Sequence, residues 1–228
     1  MWLSHYTNET TPVTVDNLPV KIAESEEERC RIFKYRYELY IEKLGRSSAG
    51  AIYKEKILRE CFDSRSILLY AETIDNKLAG TVSLLRGPFE EVVKRRIQMN
   101  HISAIEPSID AEKLFYISKF MVSSDQRNAS VGNALLLAAF WQSSKLGGVV
   151  GFIHCSKAIK RYFLKWGCIE YGQPFEFENL GIQYPLAIST THENSHITVQ
   201  SPVLSSGYIF PDDPEADTFF QNLTGYAG

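Results

Sequence analysis

The sequence predicts an α/β fold in which helices flank one mixed sheet. The strongest observation is a strand, a helix and a second strand in direct succession, over residues 113–122, 130–145 and 148–154. The last run is short and continuously apolar, which is typical of a strand buried in a parallel sheet. The first half instead shows two apolar runs around Asp75-Asn76, and these predict an antiparallel hairpin.

The other elements follow from the same patterns of apolar spacing. Strands are predicted, in chain order, over residues 19–23, 66–73, 78–85, 113–122, 148–154, 168–177 and 181–189. Helices are predicted over residues 26–44, 50–60, 89–98 and 130–145, and between Ser156 and Gly167. At the first helix Ser25 and Glu28 form a capping-box pattern, and Gly45 supplies the stop.

The chain has 228 residues, a length that predicts one domain, and a segment at each end differs from it in composition. Residues 1–17 are polar and are expected to be flexible. Residues 18–189 carry the predicted elements and form the α/β domain. Residues 190–228 break the pattern, because polar runs alternate with aromatic residues there, and they are predicted to form a C-terminal extension.

Composition excludes several classes of function. A net charge of −3 gives no overall basic field for nucleic acid. No apolar stretch reaches the roughly 18 residues that a membrane span needs. The four cysteines match no metal-binding spacing, so no metal is expected. Few cysteines and the absence of a signal-peptide pattern predict a cytoplasmic protein.

A polar loop of small residues joins the predicted strand 113–122 to the apolar helix 130–145. The first amides of a helix lack partners within it and lie at the positive end of its dipole, which suits a phosphate or pyrophosphate. The alternative is a plain strand-to-helix turn. The candidate anion site consists of Arg127, Asn128, Ala129, Ser130, Val131 and Gly132.

Two motifs in the second half resemble the GNAT superfamily of acyltransferases. Residues 127–132 are similar to its pyrophosphate-binding motif, which reads Gln or Arg, two residues, Gly, one residue, then Gly or Ala. Ser130 replaces the first Gly. The run from Ala158 to Cys168 resembles the penultimate helix of the superfamily, with its Ala-Ile, a Tyr and a closing Gly. The resemblance implies a GNAT-like mixed sheet that binds an acyl-thioester donor.

The first half resembles a narrower branch, the acyl-homoserine-lactone synthases and the N-acyl amino acid synthases. Residues 36–45 are similar to their helix, in which Arg is followed four residues later by an aromatic and then by Leu-Gly. Asp63 and the hairpin end 80–84 resemble their Asp and Gly-x-x-Arg-Leu. Residues 116–122 resemble their Glu-x-Ser-Arg-Phe-x-Val strand. The resemblance covers roughly residues 20–188.

Three departures from this branch bear on the acceptor. Ser83 stands where the lactone synthases carry Arg, Tyr116 where they carry Glu, and Lys119 where they carry Arg. In the family those groups are tied to the lactone-forming acceptor and its proton handling. The resemblance therefore implies transfer to a small amine or amino acid rather than synthesis of a homoserine lactone. The implied donor is acyl-CoA or the phosphopantetheine of an acyl carrier protein.

Acyl transfer to an amine needs a polarised thioester carbonyl and a proton for the departing thiolate. A backbone amide near Met121 and Val122 is predicted to meet the tetrahedral oxyanion. Tyr162 is the candidate general acid, and the alternative is an ordinary core aromatic. The candidate bases are Tyr116, Asp63 and Glu106, or a chain of water molecules.

Two further side chains have predicted roles. Arg36 is expected to order the acceptor site by pairing with Asp63 or with an acceptor carboxylate, and the alternative is a surface salt bridge of little energy. His154 is interpreted as a hydrogen-bonded core residue. Three other functions stay open: an acetyl-CoA-dependent acetyltransferase, a GNAT-fold protein that binds without catalysis, and a structural subunit whose extension binds a partner.

Overall fold

The computed structural model describes residues 14–15, 18–97, 109–126, 129–177 and 180–224. The strands in this part of the chain are β1 Thr14–Val15, β2 Leu18–Ile22, β3 Ala51–Ile52, β4 Ile57–Leu58, β5 Ile67–Glu72, β6 Leu78–Arg86, β7 Leu114–Val122, β8 Val150–Ser156, β9 Ile169–Glu170, β10 Phe175–Glu176 and β11 Ile182–Ser189. The helices are α1 Glu26–Tyr37, α2 Glu91–Arg96, α3 Ala129–Lys145, α4 Lys157–Leu164, α5 Glu193–Val199 and α6 Pro214–Thr224.

One mixed sheet organises these elements. Its strand order is β1-β2-β5-β6-β7-β8-β11-β10, and β9 also pairs with β11. Its paired strands run antiparallel except β7 and β8, which are parallel and are joined through α3. The predicted antiparallel first half and the β-α-β unit in the second half are therefore confirmed.

The first predicted helix is present in two parts. Ser25 caps α1, because its Oγ accepts the amide of Glu28 at 3.2 Å while the Glu28 carboxylate accepts the amide of Ser25 at 2.9 Å. After α1 the chain widens into a π-helical segment, Glu38–Lys43. Gly45 then ends the helix in the left-handed region with φ at +62°, as the sequence predicts.

The prediction of a helix over residues 50–60 is wrong. This segment forms a hairpin of β3 and β4, in which Ala51 pairs with Leu58 and Ile52 with Ile57. The apolar residues lie at the two ends of the segment with polar residues between them, so a turn brings the ends together. Leu58 is then fully buried against aromatic residues of the first helix.

Two predicted elements are shorter than expected. The helix expected over residues 89–98 is α2, and its described part ends at Arg96 with Ile97 as its C-terminal cap residue. The strand expected over residues 168–177 is divided into β9 and β10, which pair with different parts of β11.

The sheet carries a hydrophobic core on each face, because successive residues of β7 and β8 point to opposite sides. One face packs against α3, and its cluster contains Phe115 and Ile153. The other face contains Tyr116 and Phe152, and α6 covers it with Phe220 among other apolar residues. In the part of the chain that the structure describes, no helix is long and apolar enough to span a membrane.

Candidate active site

The parallel strands β7 and β8 separate along their length. They pair only from Leu114 to Tyr116 on β7 and from Val150 to Phe152 on β8. Beyond these residues their carboxyl ends diverge, and a cavity of about 130 Å³ lies at the gap. The polar and charged side chains that line it include Arg46, Glu60, Arg96, Tyr116, Ser118, Lys119 and His154.

A β-bulge in β7 shapes the wall of this cavity. One residue of β6, Val82, faces two residues of β7, Lys119 and Phe120. Lys119 has a φ of +51°, which is unusual for a residue with a side chain. A bulge redirects the side chains of its strand, and here the Lys119 ammonium lies 2.5 Å from Glu60 Oε1.

Glu60 is the centre of a buried charge network. Its second oxygen lies 3.0 Å from Arg96 Nη2, and the side chain is 5% exposed. Burial raises the pKa of Glu60, but the charges of Lys119 and Arg96 outweigh it and hold this pKa at about 2. Burial lowers the pKa of Lys119, while Glu60 opposes that shift. At neutral pH Glu60 is therefore a carboxylate bound by two cations.

Tyr116 and His154 form a second polar pair at the cavity. The Tyr116 hydroxyl lies 3.2 Å from His154 Nδ1, and the two rings stack with centroids 5.8 Å apart. Burial raises the pKa of Tyr116, so it carries its proton at neutral pH and is unsuited to act as a base. Burial, followed by the charges of Arg96 and Lys119, lowers the pKa of His154 to about 3. His154 is therefore hydrogen-bonded, as the sequence analysis expects, and it is also a neutral residue on the wall of the cavity.

Arg36 and Asp63 form a fully buried ion pair. Arg36 Nη1 lies 3.1 Å from each carboxylate oxygen, and its Nη2 donates to Ser83 Oγ. Asp63 also accepts the amide of Glu60 at 2.7 Å. The predicted pairing is present, and the surface salt bridge is excluded because neither side chain is exposed. Neither residue lines the cavity, so the pair positions Glu60 from behind.

Tyr162 lies against the first turn of α3. Its hydroxyl donates to Asn133 Oδ1 at 2.9 Å, and its ring stacks on Phe120. A Cβ on Gly132 would lie 2.8 Å from the Tyr162 hydroxyl oxygen, so the glycine makes this approach possible. Burial raises the pKa of Tyr162 to about 12, which keeps the hydroxyl protonated at neutral pH.

The structure describes the predicted anion site only in part. Arg127 and Asn128 lie outside the described residues, as does the candidate base Glu106. The helix begins at Ala129, and Ser130 and Gly132 lie in its first turn. Val131 points into the core, so only its backbone is available to a ligand.

The two predicted oxyanion residues lie at the end of β7. Met121 lines the cavity. Val122 pairs with Gly80 of β6, and its side chain packs against the core. The role of their amides stays a prediction.

The sequence does not mark Arg46, Glu60 or Arg96 as residues of the site, although all three line the cavity. Arg96 belongs to a run of three basic residues, 94–96, and such a run predicts a solvated helix face. Yet Arg96 shares a helix face with Val93 and Ile97, which are fully buried. That helical spacing was the available signal. Glu60 precedes the recognised Asp63 by three residues, and no pattern in the sequence marks it. Among the described residues no group of His, Cys, Asp and Glu could hold a metal ion.

No family model and no curated protein matches the sequence. Solved structures do match. TofI, solved with an inhibitor and MTA, has a TM-score of 0.61 and 14% identity, covering 82% of this chain and 98% of its own. BjaI, a CoA-dependent acyl-homoserine lactone synthase solved with SAM and isopentyl-CoA, has a TM-score of 0.59 and 15% identity, covering 86% and 92%. FeeM, an N-acyl amino acid synthase from uncultured soil microbes, has a TM-score of 0.56 and 12% identity, covering 75% and 94%.

These likenesses show the fold. The predicted GNAT-like α/β fold is confirmed. BjaI and FeeM come from the two groups of synthases that the motifs of the first half resemble.

Proposed function

We propose that the protein is an N-acyltransferase, which moves an acyl group from acyl-CoA or an acyl carrier protein to a small amine or amino acid. The observation that carries this proposal is the divergence of β7 and β8, which opens a cavity at their carboxyl ends. Ligands of α/β sheets bind outside the carboxyl ends of parallel strands. The fold shared with BjaI, which was solved with isopentyl-CoA, supports a thioester donor.

The donor is proposed to lie along the gap between the strands. Its phosphate groups would meet the first amides of α3, from Ala129 to Gly132, because a helix N-terminus attracts anions. Its pantetheine arm would follow the unpaired edge of β7 from Ile117 to Met121. This path places the thioester between the α3 terminus and the charged cavity.

The chemistry is an exchange of one bond for another. The amine nitrogen bonds to the thioester carbonyl carbon, and the carbon–sulfur bond then breaks. Holding the two reactants in contact supplies much of the rate enhancement. A backbone amide near Met121 and Val122 stabilises the oxyanion, and Tyr162 gives its proton to the departing thiolate. Tyr116 carries its proton and Asp63 does not line the cavity. Water therefore takes the proton of the amine and returns a proton to Tyr162, which balances the reaction.

An acetyl-CoA-dependent acetyltransferase is the second candidate, and one observation favours it. Behind the cavity, between α3 and the sheet, lies an almost wholly apolar space of about 20 Å³. It shares Ile117, Ile153 and Phe163 with the cavity wall. A space of that size holds about one water-sized group, which matches the methyl of an acetyl group. A long acyl chain would have to displace side chains.

A direct assay tests the proposal. Purified protein is mixed with acetyl-CoA, longer acyl-CoAs or acyl carrier protein, together with a panel of amines and amino acids. We expect free thiol and an N-acyl product in equal amounts, measured by thiol titration and mass spectrometry. If no donor and acceptor pair gives product, the proposed acyltransferase function is wrong.

A further inference from the structure

Asn133 is the hydrogen-bond partner that receives the proton of the Tyr162 hydroxyl. It follows Gly132 in α3, and its Oδ1 accepts from the hydroxyl at 2.9 Å. The Tyr162 ring also stacks on Phe120, with ring centroids 5.9 Å apart. The ring is therefore held in place, and the free protein directs the hydroxyl proton at Asn133.

The transfer of this proton to a thiolate is opposed by burial. Burial raises the pKa of Tyr162 to about 12, although the Trp166 indole donates toward the hydroxyl oxygen and opposes part of that shift. An ordinary thiol has a pKa of about 8.5, so the proton favours the tyrosine by roughly 10³-fold. A tyrosine acid at this position needs a further group that stabilises the tyrosinate while the proton leaves.

The carboxamide of Asn133 can supply that stabilisation, because it carries an NH₂ donor as well as an oxygen acceptor. Asn133 is half-buried, and its side chain has no second hydrogen bond among the described residues. Rotation of the carboxamide therefore breaks only the bond to Tyr162 and brings Nδ2 to the place of Oδ1. A hydrogen bond to the charged form of an acid lowers its pKa.

We propose that Asn133 is the positioning residue of the proton transfer: its carboxamide turns when the donor binds, and Nδ2 donates to the Tyr162 oxygen. The inference rests on the proposed acyltransferase function. The hydroxyl proton is then free to pass to the sulfur as the carbon–sulfur bond breaks, while Asn133 and Trp166 donate to the tyrosinate oxygen. Water returns a proton to Tyr162, and the carboxamide turns back.

The Asn133→Asp variant separates this role from anchoring of the ring. A carboxylate keeps the size and the acceptor oxygen of the side chain, so it still holds the Tyr162 hydroxyl, but it has no donor. We expect kcat to fall by about 10-fold to 100-fold, the effect of a lost hydrogen bond to a charged group. The KM for the donor should change little. Asn133→Ala loses the acceptor as well, yet its kcat should fall no further.

A double-mutant cycle tests whether Asn133 acts through the Tyr162 hydroxyl. In the Tyr162→Phe background, Asn133→Asp should change kcat by no more than about 2-fold, because the group that it affects is already gone. Asn194→Asp is the matched control, since it makes the same substitution at an exposed position of α5. It should leave kcat unchanged.

Bound coenzyme A gives a measurement that needs no turnover. When Nδ2 faces the phenol, the Tyr162 hydroxyl donates to the thiolate and lowers the pKa of the bound thiol. Ultraviolet absorbance of the thiolate follows this titration. We expect the pKa of the bound thiol to be higher by about one unit, a 10-fold effect, in both Asn133→Asp and Tyr162→Phe than in the wild-type protein.

The outcomes separate the two proposals. If the wild-type protein acylates no acceptor at all, the proposed function fails and the role of Asn133 fails with it. If it acylates acceptors and Asn133→Asp keeps the wild-type kcat and thiol pKa, Asn133 only anchors the ring, and the function stands. Should Asn133→Asp fail to fold in thermal unfolding, Asn133→Ala takes its place in the cycle. Equal losses of kcat with and without the Tyr162 hydroxyl would then overturn the inference.

Discussion

The Tyr162 hydroxyl is the single group on which the proposed proton transfer depends. It is protonated at neutral pH, donates to Asn133 and lies beside the first turn of α3. Tyr162→Phe removes the hydroxyl and keeps the ring that stacks on Phe120. We expect kcat to fall by about 100-fold with little change in donor affinity, as measured by steady-state kinetics and calorimetry with coenzyme A.

The control for this prediction is Tyr208→Phe. The Tyr208 hydroxyl also makes partly buried hydrogen bonds, to Ser144 and to the Thr190 carbonyl, but Tyr208 does not line the cavity. This variant should lose some stability and keep its turnover. Equal turnover in Tyr162→Phe and wild-type protein would assign Tyr162 to packing and the proton to water.

His154 is expected to make the free energy of unfolding depend on pH. Its pKa is lowered from 6.5 to about 3, because burial and the charges of Arg96 and Lys119 disfavour the protonated ring. The unfolded chain binds this proton below about pH 6.5 and the folded chain does not, so the free energy of unfolding should decrease as the pH falls. Urea denaturation between about pH 7.5 and 5 measures the slope. In His154→Asn we expect a shallower slope.

The titration of Glu60 does not contribute to the slope measured above about pH 5. Glu60, with a pKa of about 2, stays charged in both states above about pH 5. Its own contribution is lost only as the pH falls from about 4.5 toward 2. Parallel slopes for the wild-type protein and His154→Asn would show that His154 is not the group responsible.

Some site residues could be found from the sequence because a motif marks them, as with Arg36, Asp63 and Tyr162. The contacts that these residues make could not be predicted from the sequence. Arg36 was expected near the surface or at the acceptor, and folding instead places it in the core against Asp63. Arg96 was missed because a charged residue in a basic run is usually solvated. The direction in which the Arg96 side chain points depends on how α2 packs, and no local sequence pattern determines that packing.

At the scale of elements, the approach of α4 to the start of α3 is the contact that joins the two resembled motifs. Gly132 makes it possible, since a Cβ there would lie 2.8 Å from the Tyr162 oxygen and 3.4 Å from Phe120. Gly132→Leu must therefore move Tyr162 and crowd the helix terminus. We expect a folded protein whose affinity for coenzyme A, measured by calorimetry, is about 10-fold weaker, and whose turnover also falls.

Two controls sharpen this experiment. Gly172→Ala adds a methyl whose nearest neighbour is 3.4 Å away, and it should bind coenzyme A normally. Gly132→Ala can also be combined with Tyr162→Phe, which removes the oxygen that the new methyl would strike. Recovery of affinity in the double variant would assign the loss to that clash. Unchanged affinity in Gly132→Leu would show that the donor does not bind at this terminus.

Long elements with a clear period were predicted well, and short ones were not. The strand 113–122 and the helix 130–145 match β7 and α3 within one residue at each end. The segment 50–60 has no helical period, and its hairpin is stabilised by burying Leu58 against Tyr40, a contact that the local sequence cannot reveal. The divergence of β7 from β8 likewise arises from the sheet as a whole.

At the scale of the whole molecule, the C-terminal segment completes the core on one face of the sheet. In α6, Phe220 and Leu223 are buried in the cluster that contains Tyr116 and Tyr171. Lys113 pairs with Asp213 at 3.0 Å, which ties the segment to the start of β7. The boundary at residue 189 stays a prediction. These contacts lead us to expect that residues 190–224 stabilise the domain more than they cover its cavity.

Truncation after Ser189 tests this expectation. It would expose Phe152 and Tyr171, so we expect insoluble or unfolded protein. Phe220→Ala is the milder version, and it should lower the free energy of unfolding by about 3–5 kcal/mol because it leaves a cavity in the core. Ile209→Ala is the control, since Ile209 is 86% exposed and its loss should cost no more than about 0.5 kcal/mol. Denaturant unfolding measures both. A truncated protein that unfolds cooperatively and binds coenzyme A, but accepts different amines, would instead identify residues 190–228 as a cover over the acceptor site.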